Sequence, residues 1–128
     1  MRKNLIPLAI LAVAIPVSAA RAETPNLVGT WKGTSERVNA KGEYSERDKV
    51  IAIVDQKGRR FHGVARDARG AEKFIGVIRS DDTTFYWVDA EDVGQVQGRI
   101  LDADRIETCY LESGKHAIAA CSILSRER

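Results

Sequence analysis

The chain has no proline after Pro25, two cysteines, two histidines, and no apolar run of bilayer length. A proline-free run of about 100 residues imposes no break on extended strands, since proline within a sheet removes a ladder hydrogen bond. Two histidines, His62 and His116, with no His, Cys or carboxylate at metal-ligand spacing, leave no metal set. They read as surface residues. Nucleophilic catalysis has no local signature either, because Gly-x-Ser-x-Gly and phosphate-cradling glycine loops are missing. No catalytic residue, no metal and no cofactor is therefore expected. Helix-period segments of useful length are also lacking.

At the N-terminus, Arg2 and Lys3 precede an apolar run from Leu5 to Val17, followed by Ser18-Ala19-Ala20-Arg21-Ala22. That order is a secretory signal peptide ending in an Ala-x-Ala cleavage site at Ala20 to Ala22. The run, about 13 residues, is too short for the roughly 20 that span a bilayer. Residues 1–22 are assigned to the leader and residues 23–128 to a single domain. The mature chain is expected in the periplasm or secreted, after cleavage near Ala22. With the leader go three of the 20 basic residues, Arg2, Lys3 and Arg21, while all 18 acidic residues stay, which leaves a net charge of −1. The precursor's basic balance is thus no nucleic-acid or membrane signal.

Within the mature chain, turn residues recur at regular spacing: Asn39-Ala40-Lys41-Gly42, Lys57-Gly58, Asp67-Ala68-Arg69-Gly70, Ser80-Asp81-Asp82, Glu91-Asp92-Val93-Gly94, Asp102-Ala103-Asp104 and Ser113-Gly114. They separate eight runs rich in Val, Ile, Thr and aromatics: 27–38, 43–56, 60–66, 72–79, 84–89, 95–101, 105–111 and 116–125. Short strands joined by hairpin turns predict an all-β, eight-stranded antiparallel up-and-down β-barrel, because closure removes the two exposed edges of the meander. Such an interior is just wide enough to be filled by side chains or to hold one small ligand. A membrane-spanning barrel is rejected, since the outward positions include Lys32, His62, Arg66, Gln97, Arg99, Arg105 and Glu107.

Alternation assigns the facing of several strands. Val96, Gly98 and Ile100 point inward opposite Gln97 and Arg99. Ile106, Thr108 and Tyr110 point inward opposite Arg105, Glu107 and Cys109, and Phe61, Gly63 and Ala65 opposite His62, Val64 and Arg66. The runs Val50-Ile51-Ala52-Ile53-Val54 and Phe74-Ile75-Gly76-Val77-Ile78 are apolar on both faces and leave their facing open. They also hint at an outer apolar patch that could bind a neighbour or a second copy.

Cys109 and Cys121 flank the last hairpin of an exported chain, which predicts a disulfide. Direct pairing puts Leu111 opposite Ala119 and turns Ile118, Ala120, Ser122 and Leu124 inward. Closing this loop contributes on the order of 2 to 3 kcal/mol. For ligand binding the candidates are the residues that alternation can place inside: Trp31, Phe61, Trp87 and Tyr110 as walls, with Arg37 and Ser122 as polar groups. Polar groups pointing into an apolar cup are what orient a small ligand.

Gly29-x-Trp31 on a first strand, seven further hairpin strands and a basic end at Arg126 and Arg128 resemble the calycin superfamily of lipocalins and avidins. Leu27-Val28-Gly29-Thr30-Trp31 and Phe61-His62-Gly63-Val64-Ala65 are similar to avidin-type strand motifs. The chain also resembles small exported bacterial barrels that share this leader, fold and terminal disulfide. The lipocalin resemblance casts Arg126 as a cover over Trp31. It departs from avidins where biotin ligands would stand, at Gly33 and Ala65, and from lipocalins in its tight turn at Asn39 to Gly42. Biotin is therefore not the expected ligand. A non-enzymatic exported barrel binding a small apolar or amphipathic ligand in its interior is the expectation. The alternative is a protein-binding module, such as an inhibitor of an envelope hydrolase, acting through the tips at Glu112 to His116 or Asp67 to Gly70.

Overall fold

The computed structural model describes residues 12–18, 23–68 and 70–128. Of the assigned leader, residues 12–18 are exposed and carry no regular structure, while residues 1–11 and the cleavage site at 19–22 lie outside the described residues, as does Arg69. Eight strands follow: β1 (Gly29–Asn39), β2 (Tyr44–Lys57), β3 (Arg60–Asp67), β4 (Gly70–Ile78), β5 (Thr84–Asp89), β6 (Gln95–Asp102), β7 (Arg105–Glu112) and β8 (Ile118–Arg126). Each pairs antiparallel with its sequence neighbour, and β1 pairs with β8 to close the barrel. The expected strand count, order and up-and-down topology are all present. The last strand begins two residues later than expected, at Ile118, because Ala117 is spent closing the turn through its N–H to Gly114 O.

Turn chemistry explains the hairpins. Asn39 Oδ1 accepts from the N–H groups of Lys41 and Glu43, and Gly42 follows at φ 74°, a left-handed position that glycine adopts without steric cost. Asp81 does the same work between β4 and β5, where it accepts from Thr83 N, Thr84 N and Thr84 Oγ1. Those bonds to the ionised form hold its carboxyl well below the usual carboxylate range.

Register decides the facing that alternation left open. Ile51 sits opposite Trp31 and Phe74 opposite Gly63, so Ile51, Ile53, Phe74 and Ile78 are buried inside while Val54, Ile75 and Val77 face out. One half of the interior is filled: Trp31, Phe61, Phe74, Phe85, Trp87 and the aliphatic Ile51, Ile53, Ile106 and Leu124 form one buried cluster. Phe74 and Phe85 both stack on Trp87, at centroid distances of 4.3 and 5.7 Å, and Phe61 meets all three rings edge-on.

Three glycines make room for those rings. A Cβ on Gly63 would fall 2.6 Å from Phe74, on Gly76 2.3 Å from Phe61, and on Gly98 2.0 Å from Phe85. Each phenylalanine thus lies over a glycine of an adjacent strand. Gly98→Val is accordingly expected to lose about 1 to 3 kcal/mol of stability by overpacking, read as a lower denaturation midpoint.

Below the rings the barrel is shut. Leu27 plugs the end, its N–H bonded to Gln56 Oε1 at 2.8 Å, and Gln56 Nε2 in turn donates to Pro25 O and Gly58 O. Trp31 Nε1 donates to Leu27 O at 2.9 Å. Arg126 then lies 4.3 Å from the Trp31 ring and ties three segments together through Val28 O, Asn26 O and Ala103 O. This is the cover that the lipocalin resemblance implied.

Cys109 and Cys121 are directly opposed and disulfide-bonded, with Leu111 opposite Ala119. Reduction is expected to lower the melting temperature while leaving the barrel folded at room temperature, since every strand pair survives it. An unchanged melting temperature would count against any stabilising role for the bridge.

Candidate functional site

At the other end the barrel is open. A cavity of about 420 Å³ enters between the β1–β2, β3–β4, β5–β6 and β7–β8 turns and stops on Trp87, Val96 and Ala120. The fill ends there for a reason visible in the strands. Toward this mouth the inward positions change from Ile, Phe and Trp to Ser35 and Arg37 on β1, Arg47 and Lys49 on β2, Ala65 on β3, Glu72 on β4 and Asp89 on β5. Small and charged side chains cannot close an apolar core, so a cup remains.

Lys49 is the deepest cation. Its Nζ lies 5.7 Å from the Trp87 ring centroid and donates to Thr108 Oγ1 at 3.2 Å. Burial pushes its pKa down to about 8; Asp89 opposes that shift and Arg37 adds to it. Asp89 ends β5 only 9% exposed, and its Oδ2 has no hydrogen-bond partner. Burial, then the carboxylates of Glu72 and Asp92, push its pKa up to about 6, against the pull of Lys49. Tyr110, on β7, donates to Glu112 Oε2 at 3.4 Å, and burial together with Glu112 holds its phenol well above the usual range. Tyr110 and Asp89 both pack against Gly94, where a Cβ would come within 2.2 and 2.3 Å of their oxygens. The loop glycine is what lets both side chains reach the cup.

Of the residues expected to bind a ligand, Arg37, Trp87 and Tyr110 line this cup. Ser122 lies buried, with its Oγ also unpartnered. Trp31 and Phe61 do not line it: both belong to the filled half. His116 stands exposed at the rim. Sequence reasoning passed over Lys49, because the facing of β2 was open, and Asp89, because the alternation of the fifth run was not assigned. Alternation along Phe85, Trp87 and Asp89 carried the signal for the second. Among the described residues no group of three or more His, Cys, Asp or Glu is arranged to hold a metal.

These features define a small, closed, up-and-down β-barrel with one end sealed and the other open onto a polar cup. No protein-family model and no curated protein matches the chain. Among solved structures it is similar to a redesigned β-barrel, mFAP0, bound to DFHBI, with 17% identity and a TM-score of 0.52 over 78% of this chain and 98% of that one. A second redesigned β-barrel, b11L5F_LGL, is 12% identical with a TM-score of 0.51, over 80% of this chain and 92% of that one. Likeness at this level of identity establishes the shared barrel fold.

Proposed function

We propose that this protein is an exported, non-enzymatic barrel that takes a small amphipathic ligand into its open cup, with a lipocalin-type closed end as its foundation. The carrying observation is Asp89 Oδ2, a buried acceptor without a protein hydrogen-bond partner, beside a half-buried lysine at the cup. An unsatisfied buried polar atom costs about 1 to 3 kcal/mol. A ligand that donates a hydrogen bond to it recovers that cost on binding. The ligand's apolar part would rest on Trp87, Val96 and Ala120, and an anionic group on it would meet Lys49 and Arg37. Export is supported by the charged, apolar and Ala-x-Ala segments at residues 1–22, and the mass of the exported protein is expected to begin at Glu23.

Native mass spectrometry of the protein purified from its own host, set against the denatured mass, tests this. A small-molecule adduct lost on denaturation supports the reading. Asp89→Ala should release the adduct, whereas Lys115→Ala, at the β7–β8 tip, should retain it. A bare mass for the unaltered protein, together with a tip-dependent protein partner, would overturn it in favour of an inhibitor-like module.

A further inference from the structure

The outer wall of the barrel carries a second feature that does not depend on the cup. Strands β3 to β6 point the following side chains outward: Arg60, His62, Val64 and Arg66; Lys73, Ile75 and Val77; Thr84, Tyr86 and Val88; Gln95, Gln97 and Arg99. None of these is a carboxylate. At the centre, Ile75 pairs with Val88 and Val77 with Tyr86 across β4 and β5, and these four remain 56%, 47%, 44% and 42% exposed. Cations flank them on the β3 and β4 side, while Gln95 and Gln97 stand beside Val88 and Tyr86 on β6. Arg60 is the cross-strand neighbour of Val77, Lys73 precedes Ile75 by one outward position, and Arg79 lies 5.8 Å from the Tyr86 ring. Among the described residues Arg60, Arg66 and Lys73 form no ion pair. Among the described residues, carboxylates reach this face at its borders, where Asp55 approaches His62 at 3.7 Å, Glu107 approaches Arg99 at 3.6 Å and Asp81 interacts with Arg79.

We infer that this face is a docking surface for an anionic phospholipid bilayer, on which the barrel lies with its β4–β5 wall against the headgroups. Three physical arguments select that occupant. The arrangement is that of an interfacial residue set: short apolar side chains and a tyrosine at the centre, and long cationic side chains at the edge whose stems bend toward phosphate while their apolar neighbours enter the boundary. A second copy is disfavoured, because a two-fold contact through this face would set Arg60, Lys73 and Arg79 against one another. A stable protein partner generally covers about 800 Å² on each side, whereas the apolar centre of this face is only four half-exposed side chains. The net charge of the chain conceals the face. Its balancing acids lie elsewhere: Glu36, Glu46 and Asp48 on the far wall or rim, and Glu72, Asp89 and Glu112 at the cup.

Co-sedimentation of the exported protein with vesicles of phosphatidylglycerol and phosphatidylcholine, against vesicles of phosphatidylcholine alone, tests the inference. Binding to the anionic vesicles is expected to be about 10-fold tighter or more, and to collapse at high salt. Arg60→Glu with Lys73→Glu should lower it by about 10-fold or more. Ile75→Ser with Val88→Ser should also weaken it, while Thr34→Glu on the opposite wall should not. Tyr86→Trp gives an independent readout, since its emission should be quenched by brominated lipid. The charge-reversed pair, being wholly on the surface, keeps the test decisive if the serine pair does not fold. Equal binding to both vesicle types, anionic binding indifferent to the Arg60 and Lys73 reversal, or capture of an acidic protein with no vesicle binding would each overturn the assignment. None of these outcomes bears on the native-mass test of the cup, so the two readings fail separately.

Discussion

Trp31→Ala is expected to cost about 3 to 5 kcal/mol of folding stability, a large part of the roughly 5 to 15 kcal/mol that a domain of this kind possesses. The indole is fully buried where β1 meets β2 and β8, opposite Ile51 and Arg126. Removing it leaves a cavity at the sealed end, and two other groups lose a partner with it. Leu27 O loses its donor and the Arg126 guanidinium loses the ring beneath it. Urea denaturation of the two proteins reads the difference. A loss below about 1 kcal/mol would mean that the sealed end is held by Leu27 and Gln56 instead.

Replacing both ionisable groups of the cup, Lys49→Met with Asp89→Leu, is expected to stabilise the barrel by about 3 kcal/mol near pH 7 and to abolish ligand retention. Burial penalises each charged form, and the direction of each effect follows from where its proton goes. Asp89, unperturbed, titrates at 3.8, and in the folded chain its pKa stands at about 6. Between those values the folded state keeps a proton that the unfolded chain has lost, so stability falls as pH rises through that interval. Lys49 moves from 10.5 to about 8. From about 8 to 10.5 the unfolded chain holds a proton that the folded chain has released, so stability rises with pH there. Both penalties are therefore present together between about pH 6 and 8. The unaltered protein should show a shallow minimum of stability in that window, superimposed on the other titrations, and the double variant should lose it. The figure of about 3 kcal/mol is discounted from the full sum of the two shifts because the cup is open to water, which screens both charges. Arg37, Glu72, Asp92 and Glu112 share the cup and remain in the variant. Melting temperatures across pH 4 to 11 measure the effect; a variant with the parent's pH profile would show that the two groups carry no penalty.

A site whose residues reduce the stability of the fold that holds them is the pattern expected of binding machinery. The filled half of this barrel shows the reverse: its rings, glycines and aliphatic residues agree with one another at every register position. The outer wall is a third region, where four half-exposed apolar side chains stand beside cations of β3 and β4. The same sheet thus carries three zones of different chemistry: a filled core, a polar cup and an outer wall with a cationic flank.

Period-two alternation and the turn residues were enough to read eight strands, their order, the inward set of β3, β6 and β7, and the Cys109–Cys121 pairing, because all of these depend on chain neighbours or on one hairpin. Trp31 and Phe61 could be placed inside in the same way, but alternation says only that a side chain points inward, never how high along the barrel it sits or what fills the space above it. That height separates Trp31 in the sealed core from Tyr110 at the cup. The facing of β2 and β4 was beyond local pattern, since both faces of each are apolar and only pairing with β1, β3 and β5 chooses between them. Lys49 and Asp89 are 40 residues apart, and the cationic face is assembled from four strands. Closure of β1 onto β8 brings such positions to common heights around one axis, and that geometry belongs to the whole sheet. Tertiary structure alone therefore decided that the interior is half filled and half open, and which charges share the open half.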